Sequence, residues 1–254
     1  MRKLIRQPLE DVAACLNRLA ESGHPGRTLG IVLVSLLITW FIYVPIHEML
    51  HVLGCVASGG SVSKLEIAPH YGGALFAQWF PFVVSGGEYA GRLSGFDTKG
   101  SDLIYLATDF GPFVLTVLFG VPLLRMCAKR RRPILLGMGV VVGLAPFYNL
   151  IGDYYEMGSV ITTRIATIVG AGGGAIAFEG IRSDDIFKLI GSFLLRPGDL
   201  GLQGAGSIAV GALLAAVSIV LAVILSLVTY AMGHGVACLT VGPGPVQADH
   251  DAGA

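Results

Sequence analysis

Long runs of apolar residues, separated by shorter polar or glycine-rich segments, dominate the hydrophobic pattern of this chain. Strong runs lie at about 29–54, 103–124, 134–151 and 207–232. A helix needs about 20 apolar residues to cross the hydrocarbon core of a bilayer. The pattern therefore predicts an all-α polytopic membrane protein. A weaker, glycine-rich run at 160–178 is interrupted by an arginine, and whether it spans stays open.

Three segments have a different pattern. Residues 1–28 are polar and basic, with apolar residues at helical spacing, which predicts an amphipathic helix at the membrane surface. Residues 183–196 show a similar amphipathic pattern, with Ser183 as a candidate N-cap. The tail 242–254 is rich in glycine, proline and polar residues, and we expect it to be disordered.

The segment 56–102 does not fit a spanning helix, because it contains three glycine pairs and Pro81. Alternating apolar residues near 62–67 and the apolar stretch 74–84 indicate short extended pieces. We interpret the segment as a β-hairpin or a re-entrant loop that dips into the bilayer while buried against protein.

Composition supports the membrane class and bears on the kind of partner to expect. The chain has 254 residues, of which 54% are hydrophobic and 13% charged, against about 25% charged in soluble domains. The mean hydropathy is +0.73. The formal net charge is zero, so we expect no nucleic-acid partner. The four cysteines show no CxxC spacing and are interpreted as isolated thiols.

Charge distribution predicts the orientation. The heaviest basic cluster lies at 125–132, and the N-terminal segment is also basic, so the positive-inside rule puts both in the cytoplasm. We therefore expect a multi-pass protein of the cell (inner) membrane with a cytoplasmic N-terminus. In that topology His47, His51 and Asp153 lie at matching depths in the membrane, near the non-cytoplasmic ends of the first and third predicted membrane helices (29–54 and 134–151).

A candidate metal motif lies near the end of the first apolar run, which reads His47-Glu48-Met49-Leu50-His51. Residues i and i+4 share a helix face, so both histidines can bind one metal ion. Glu48 lies beside them, where it can take a proton from water, as in HExxH zinc proteases. Ionisable groups inside a membrane are costly and indicate function. Pro45 precedes the motif and indicates either a functional kink or a tolerated proline.

A catalytic zinc usually has three protein ligands, and HExxH supplies two of them. Asp153 and Glu156 are the candidates for the third ligand at matching depth, with Asp109 and Glu66 as weaker ones. A spacing of four residues also puts Asn149 and Asp153 on one helix face, provided that the helix continues between them.

These motifs resemble the site-2 protease family of intramembrane zinc metalloproteases. The likeness rests on HEMLH at 47–51, the glycine-rich loop after it, Gly111-Pro112 in the next helix, and Asn149 with Asp153 at the end of the third. It covers about residues 29–157. In this chain the gap between Asn149 and Asp153 is shorter than in the family, and the usual proline after the Asn is missing.

The resemblance implies a three-helix core with a re-entrant β-hairpin loop. The apolar runs that follow this core predict one or two further C-terminal membrane helices. It implies a Zn²⁺ ion held by His47, His51 and Asp153, with Glu48 as the general base. It also implies that Asn149 is a polar group near the substrate carbonyl. The substrate would be a membrane-anchored protein, cut in or near its transmembrane segment.

We accordingly divide the sequence into a surface segment, a protease core, a C-terminal helical region and a tail: 1–28, 29–157, 158–241 and 242–254. An inactive scaffold of the same fold and a metal transporter are the alternative functions. The run 207–232 contains no charged residue, which argues against an ion path through it. A membrane enzyme of lipid metabolism with a metal centre of the histidine-box type would need many more than the six histidines present. The lipid bilayer is the remaining partner, and the oligomeric state stays open.

Overall fold

A computed structural model describes residues 2–21, 23–169, 180–182, 186–200 and 204–242. Most of these residues are helical. Within these described ranges, three helical segments are long and apolar enough to cross a membrane, namely Pro25–Ala57, Asp102–Arg130 and Gly206–Thr240. This agrees with the predicted helical membrane class. The Ser183 cap and the predicted disordered residues 243–254 lie outside the described residues.

The first two helices follow the predicted pattern closely. Helix α1 covers Arg2–Ala20 and corresponds to the amphipathic segment. Helix α2 covers Pro25–Ala57, and a proline suits its first position because the N–H there has no helical partner. At 33 residues, α2 is about 50 Å long, well beyond the roughly 30 Å of a bilayer core. The helix continues through Pro45 without a break.

The segment after α2 forms a small sheet with a helical insertion. It contains strand β1 (Ser61–Ile67), helix α3 (Gly73–Trp79), strand β2 (Val83–Ser85) and strand β3 (Gly91–Asp97). The central strand β1 pairs parallel to β2 and antiparallel to β3. The prediction of extended structure from 74 onward is wrong for the residues of α3. Parallel strands need a crossover, which a tight hairpin turn cannot supply and α3 does.

This sheet packs on the part of α2 that carries the HExxH motif. Leu65 and Ile67 of β1 and Val83 of β2 are buried with Val52 in one apolar cluster, and Met49 packs against it. Residues two apart on a strand face the same side, so Leu65 and Ile67 together form the face that α2 covers. The sheet therefore covers one side of the HExxH motif.

The second spanning segment is a helix with two irregular turns. Helix α4 (Asp102–Phe110) is followed by a 3₁₀ turn (Gly111–Phe113), a π turn (Thr116–Gly120) and helix α5 (Val121–Arg130). Contact with α2 is made backbone to backbone through glycine. A Cβ atom at Gly54 would overlap the carbonyl oxygen of Ala107, and one at Gly111 would overlap that of Leu50. Any larger residue at either position would push the two helices apart.

The third apolar run is broken into three pieces. Helix α6 covers Pro133–Gly143, helix α7 covers Ala145–Tyr148, and helix α8 covers Asp153–Ile168 after a turn. The prediction of one helix over 134–151 is therefore wrong, and the continuous helix that would put Asn149 and Asp153 on one face is not present. Pro146 has no N–H to donate to the carbonyl of Val142, which accepts the Thr116 hydroxyl at 2.7 Å, and the helix is interrupted at Leu144. Gly152 then adopts a non-helical conformation ahead of Asp153.

The chain forms two compact units, Met1–Pro146 with Leu227–Ala254, and Phe147–Ser226. The second unit contains α8, helix α9 (Ile186–Leu195) and the first part of helix α10 (Gly204–Thr240). Its core is an apolar cluster of one tyrosine and four aliphatic residues: Tyr155, Ile181, Ile186, Leu189 and Leu200. Residues 170–179 lie outside the described residues, so the question of a span at 160–178 stays open.

In the first unit, α1 is fixed to α5 by a disulfide between Cys15 and Cys127. The interpretation of all four cysteines as isolated thiols is therefore wrong for this pair, because 112 residues separate them and their contact arises from helix packing. Cys55 and Cys238 are free thiols.

A buried polar cluster lies close to this disulfide. Asp11 of α1 accepts a hydrogen bond from the Tyr230 hydroxyl at 2.8 Å and lies 3.5 Å from His234. Arg125, only 3% exposed, lies 3.9 Å from Asp11. Burial alone would raise the pKa of Asp11, but the bonds with His234 and Tyr230 and the charge of Arg125 hold it below its usual 3.8.

Candidate metal centre

His47 and His51 lie one turn apart on α2, and both are buried. Their Nε2 atoms are 3.1 Å apart, and their rings stand nearly perpendicular, at 81°. The helical spacing that suggested a shared face thus brings one nitrogen of each ring to a common point.

The second ring nitrogen of His51 is held by the backbone of α4. His51 Nδ1 lies 2.8 Å from the carbonyl oxygen of Thr108. A carbonyl only accepts hydrogen bonds, so Nδ1 carries the proton and Nε2 presents its lone pair. In a regular helix that carbonyl would accept the N–H of the residue four positions on, which is Pro112 and has none. The N–H of Gly111 uses one of the two lone pairs of the Thr108 oxygen, and the N–H that Pro112 lacks leaves the other lone pair for His51. Gly111 also allows the close contact between the two helices.

The second ring nitrogen of His47 has a different partner. Its Nδ1 lies 2.8 Å from the hydroxyl of Tyr43, one turn earlier on α2. The edge of Phe113, which is fully buried, packs against the His47 ring at a centroid distance of 5.7 Å. Each histidine therefore has its Nδ1 engaged and its Nε2 directed toward the other histidine.

This arrangement fits a tetrahedral metal ion. Two nitrogens bound about 2.05 Å from a tetrahedral zinc lie about 3.3 Å apart, and the observed separation is 3.1 Å. Metal-binding histidines usually donate their other N–H to a second protein group, as both rings can here. Zinc, with its preference for imidazole nitrogen, suits this pair of donors.

Glu48 is buried beside the histidines and faces the sheet. A Cβ atom at Gly91, the first residue of β3, would overlap the Cγ atom of Glu48. Only glycine at this position leaves room for the Glu48 side chain. The start of β3 is thereby brought directly against the candidate general base.

Asn149 and Asp153 belong to the second unit. Asn149 lies in the turn after α7, and its carbonyl accepts the N–H groups of Gly152 and Tyr154 at 3.2 and 3.3 Å. Asp153 is the first residue of α8, and Glu156 lies in the same first turn. These bonds fix the backbone on both sides of Asp153.

The two weaker ligand candidates are in different environments. Asp109 is buried on α4, next to Thr108. Glu66 lies on β1 and forms an ion pair with Lys64, with 2.6 Å between Oε1 and Nζ. That ion pair gives Glu66 a local role in the sheet.

Sequence reasoning missed three contributors to this site. Tyr43 could have been found, because it lies four residues before His47 on the same helix face. The Thr108 carbonyl gives no side-chain signal, and only Pro112 four residues later hints at it. The role of Gly91 depends on a contact across the fold that no spacing in the sequence reveals.

Comparison with protein families, with curated proteins and with solved structures gives no match for this chain. A functional interpretation therefore depends on the arrangement of the residues described above and on the motif resemblance.

Proposed function

We propose that this protein is an intramembrane zinc metalloprotease of the site-2 protease type. The observation that carries the proposal is the convergence of His47 Nε2 and His51 Nε2 at 3.1 Å, with Glu48 beside them, on a helix apolar enough to span a membrane. Three buried ionisable groups in such a helix are costly and are retained where they act. We further propose a multi-pass protein of the cell membrane with a cytoplasmic N-terminus.

Asp153 is the proposed third ligand. With His47 and His51 it would supply one ligand atom per residue, two nitrogens and one oxygen, and leave the fourth position of a catalytic zinc for water. The turn from Asn149 fixes the backbone around Asp153, which supports a ligand role. Glu156, in the same first turn of α8, is the alternative.

The proposed chemistry is peptide-bond hydrolysis. Zinc in this position would lower the pKa of a water ligand and polarise the scissile carbonyl. Glu48 takes the proton of the attacking water and passes it to the leaving amine. Asn149 donates a hydrogen bond to the oxygen on which negative charge develops.

The proposed substrate is a membrane-anchored protein whose transmembrane segment is locally unwound. Peptide bonds within a spanning helix are closed by internal hydrogen bonds, so cleavage needs an extended segment. Strand β3 pairs with β1 on one side only among the described residues, and it begins against Glu48. An extended substrate strand added to its outer edge would run past the general base.

The strand-addition step has its own test. The N–H of Leu65 bonds Phe82 on the β2 side, so the N–H of its partner Leu93 faces the outer edge of β3. Leu93→Pro removes that N–H without removing a bond to β1. We expect loss of cleavage with zinc retained. Normal cleavage by this variant would rule out substrate pairing along β3.

Zinc content and cleavage together test the proposed function. Detergent-purified protein should contain one zinc per chain, which His47→Ala loses and Glu48→Gln keeps. Cleavage of a membrane-anchored reporter should be abolished in both variants. His70→Ala, which removes an exposed histidine outside the site, is the matched control and should behave as wild type. A wild-type protein without zinc would overturn the proposal and favour an inactive scaffold.

A further inference from the structure

The two histidines have unlike partners on the nitrogens that face away from each other. His51 Nδ1 is 2.8 Å from a carbonyl oxygen, whereas His47 Nδ1 is 2.8 Å from the hydroxyl of Tyr43. A carbonyl can satisfy only a protonated nitrogen. A hydroxyl can either donate or accept, so it satisfies the ring nitrogen in both tautomers.

We propose that Tyr43 is a positioning residue for the metal: its oxygen accepts the Nδ1 proton of His47 and thereby directs His47 Nε2 to the ion. This inference rests on the proposed zinc site. His51 is fixed in the metal-binding tautomer by Thr108, whereas His47 reaches that tautomer through Tyr43. Tyr43 would thus complete the pair of nitrogen ligands.

Three observations support this role. Tyr43 lies one turn before His47, so the helix itself sets the distance between hydroxyl and ring. The Tyr43 side chain is 5% exposed, which leaves little access for water to replace a lost bond. Its ring also packs against that of His47, with 5.3 Å between centroids, so the side chain has little freedom to move away.

The test compares two tyrosine-to-phenylalanine variants. Tyr43→Phe removes the hydroxyl at His47 and keeps the ring. Tyr71→Phe, the control, removes a hydroxyl that accepts a hydrogen bond from Trp40 Nε1 at 3.0 Å. Zinc dissociation constants are measured by competition with a chelating dye, and the geometry at the ligands by the visible absorption of the Co²⁺-substituted protein.

We expect Tyr43→Phe to weaken zinc binding by about tenfold or more and to change the Co²⁺ spectrum, as for the loss of other partners of metal-bound histidines. Tyr71→Phe should leave both unchanged, and the metal-free melting temperatures of the two variants should agree. Wild-type affinity and spectrum in Tyr43→Phe would overturn the role of Tyr43 and leave the zinc site standing. Absence of zinc binding in the wild type would overturn both.

Discussion

Replacing Pro112 by alanine should weaken zinc binding without destabilising the helical segment to which Pro112 belongs. The substitution adds an N–H at the position from which a regular helix bonds the carbonyl of Thr108. That carbonyl already accepts the N–H of Gly111, and His51 Nδ1 lies 2.8 Å from it, so a new N–H at residue 112 competes for its two lone pairs. The hydrogen bond that keeps the proton on His51 Nδ1 is thereby weakened.

The substitution should lower zinc affinity but not the stability of the metal-free protein. A neutral hydrogen bond contributes about 0.5–1.5 kcal/mol, so sharing it should cost up to about tenfold in zinc affinity. Alanine is favoured over proline inside a helix by about 3 kcal/mol. Pro112 is buried, and the loss of two methylene groups offsets about 1.6 kcal/mol of that gain. The metal-free protein should thus be as stable as wild type or slightly more stable.

The assay combines zinc competition titration with thermal unfolding of the metal-free protein in detergent. Pro122→Ala is the matched control, because Pro122 is a buried proline of the same spanning segment near the start of α5. We expect weaker zinc binding in Pro112→Ala alone. Unchanged affinity in Pro112→Ala, or an equal loss in Pro122→Ala, would refute the link from Pro112 through Thr108 to His51.

Three further predictions concern the frame of the first unit. Gly54→Ala should push α2 away from α4, lower the free energy of unfolding by about 1–3 kcal/mol and release zinc. Gly30→Ala, on the same helix with open space around it, should change neither stability nor zinc content. Equal zinc content in the two variants would contradict the role of the contact at Gly54. The pKa of Asp11 is lowered in the folded protein, so ionised Asp11 stabilises the fold at pH values above its usual pKa of 3.8. This stabilisation is lost as the pH falls through the lowered pKa. Asp11→Asn should therefore lower the melting temperature at pH 7 by the equivalent of about 1–3 kcal/mol, and a difference that persists at the lowest pH would contradict that assignment. Alkylation of unfolded protein should label two thiols before reduction and four after it, because Cys15 and Cys127 are bonded. Disulfides are rare in the cytoplasm, so this result would count against the proposed cytoplasmic N-terminus, whereas four labelled thiols without reduction would contradict the disulfide.

The helices could be predicted from sequence where one physical rule decided the outcome. The apolar run gave α2 to within four residues at each end, and the i, i+4 spacing put His47 and His51 on one face. Both results follow from local geometry that the tertiary structure did not override. The Gly111-Pro112 pair was also noticed in the sequence, although its contacts with α2 became clear only from the structure.

Errors arose where distant parts of the chain decide the local structure. The apolar stretch from 74 onward looked extended, but the parallel pairing of β1 and β2 requires a crossover, and helix α3 supplies it. Asn149 and Asp153 looked like neighbours on a helix, yet the turn ending at Gly152 separates them. No rule of spacing could have paired Cys15 with Cys127, because their contact depends on how α1 packs against α5.

The polar cluster around Arg125 has a consequence for biosynthesis. Asp11 leaves the ribosome well before its partner Tyr230, which follows 219 residues later. Until α10 is inserted, the guanidinium of Arg125 lacks the neighbours His234 and Cys238, which lie 2.8 and 3.0 Å from it in the folded protein. A burial cost of this kind makes an incomplete chain less stable than a complete one. A chain whose synthesis stops before α10 should therefore be removed by membrane quality-control proteases.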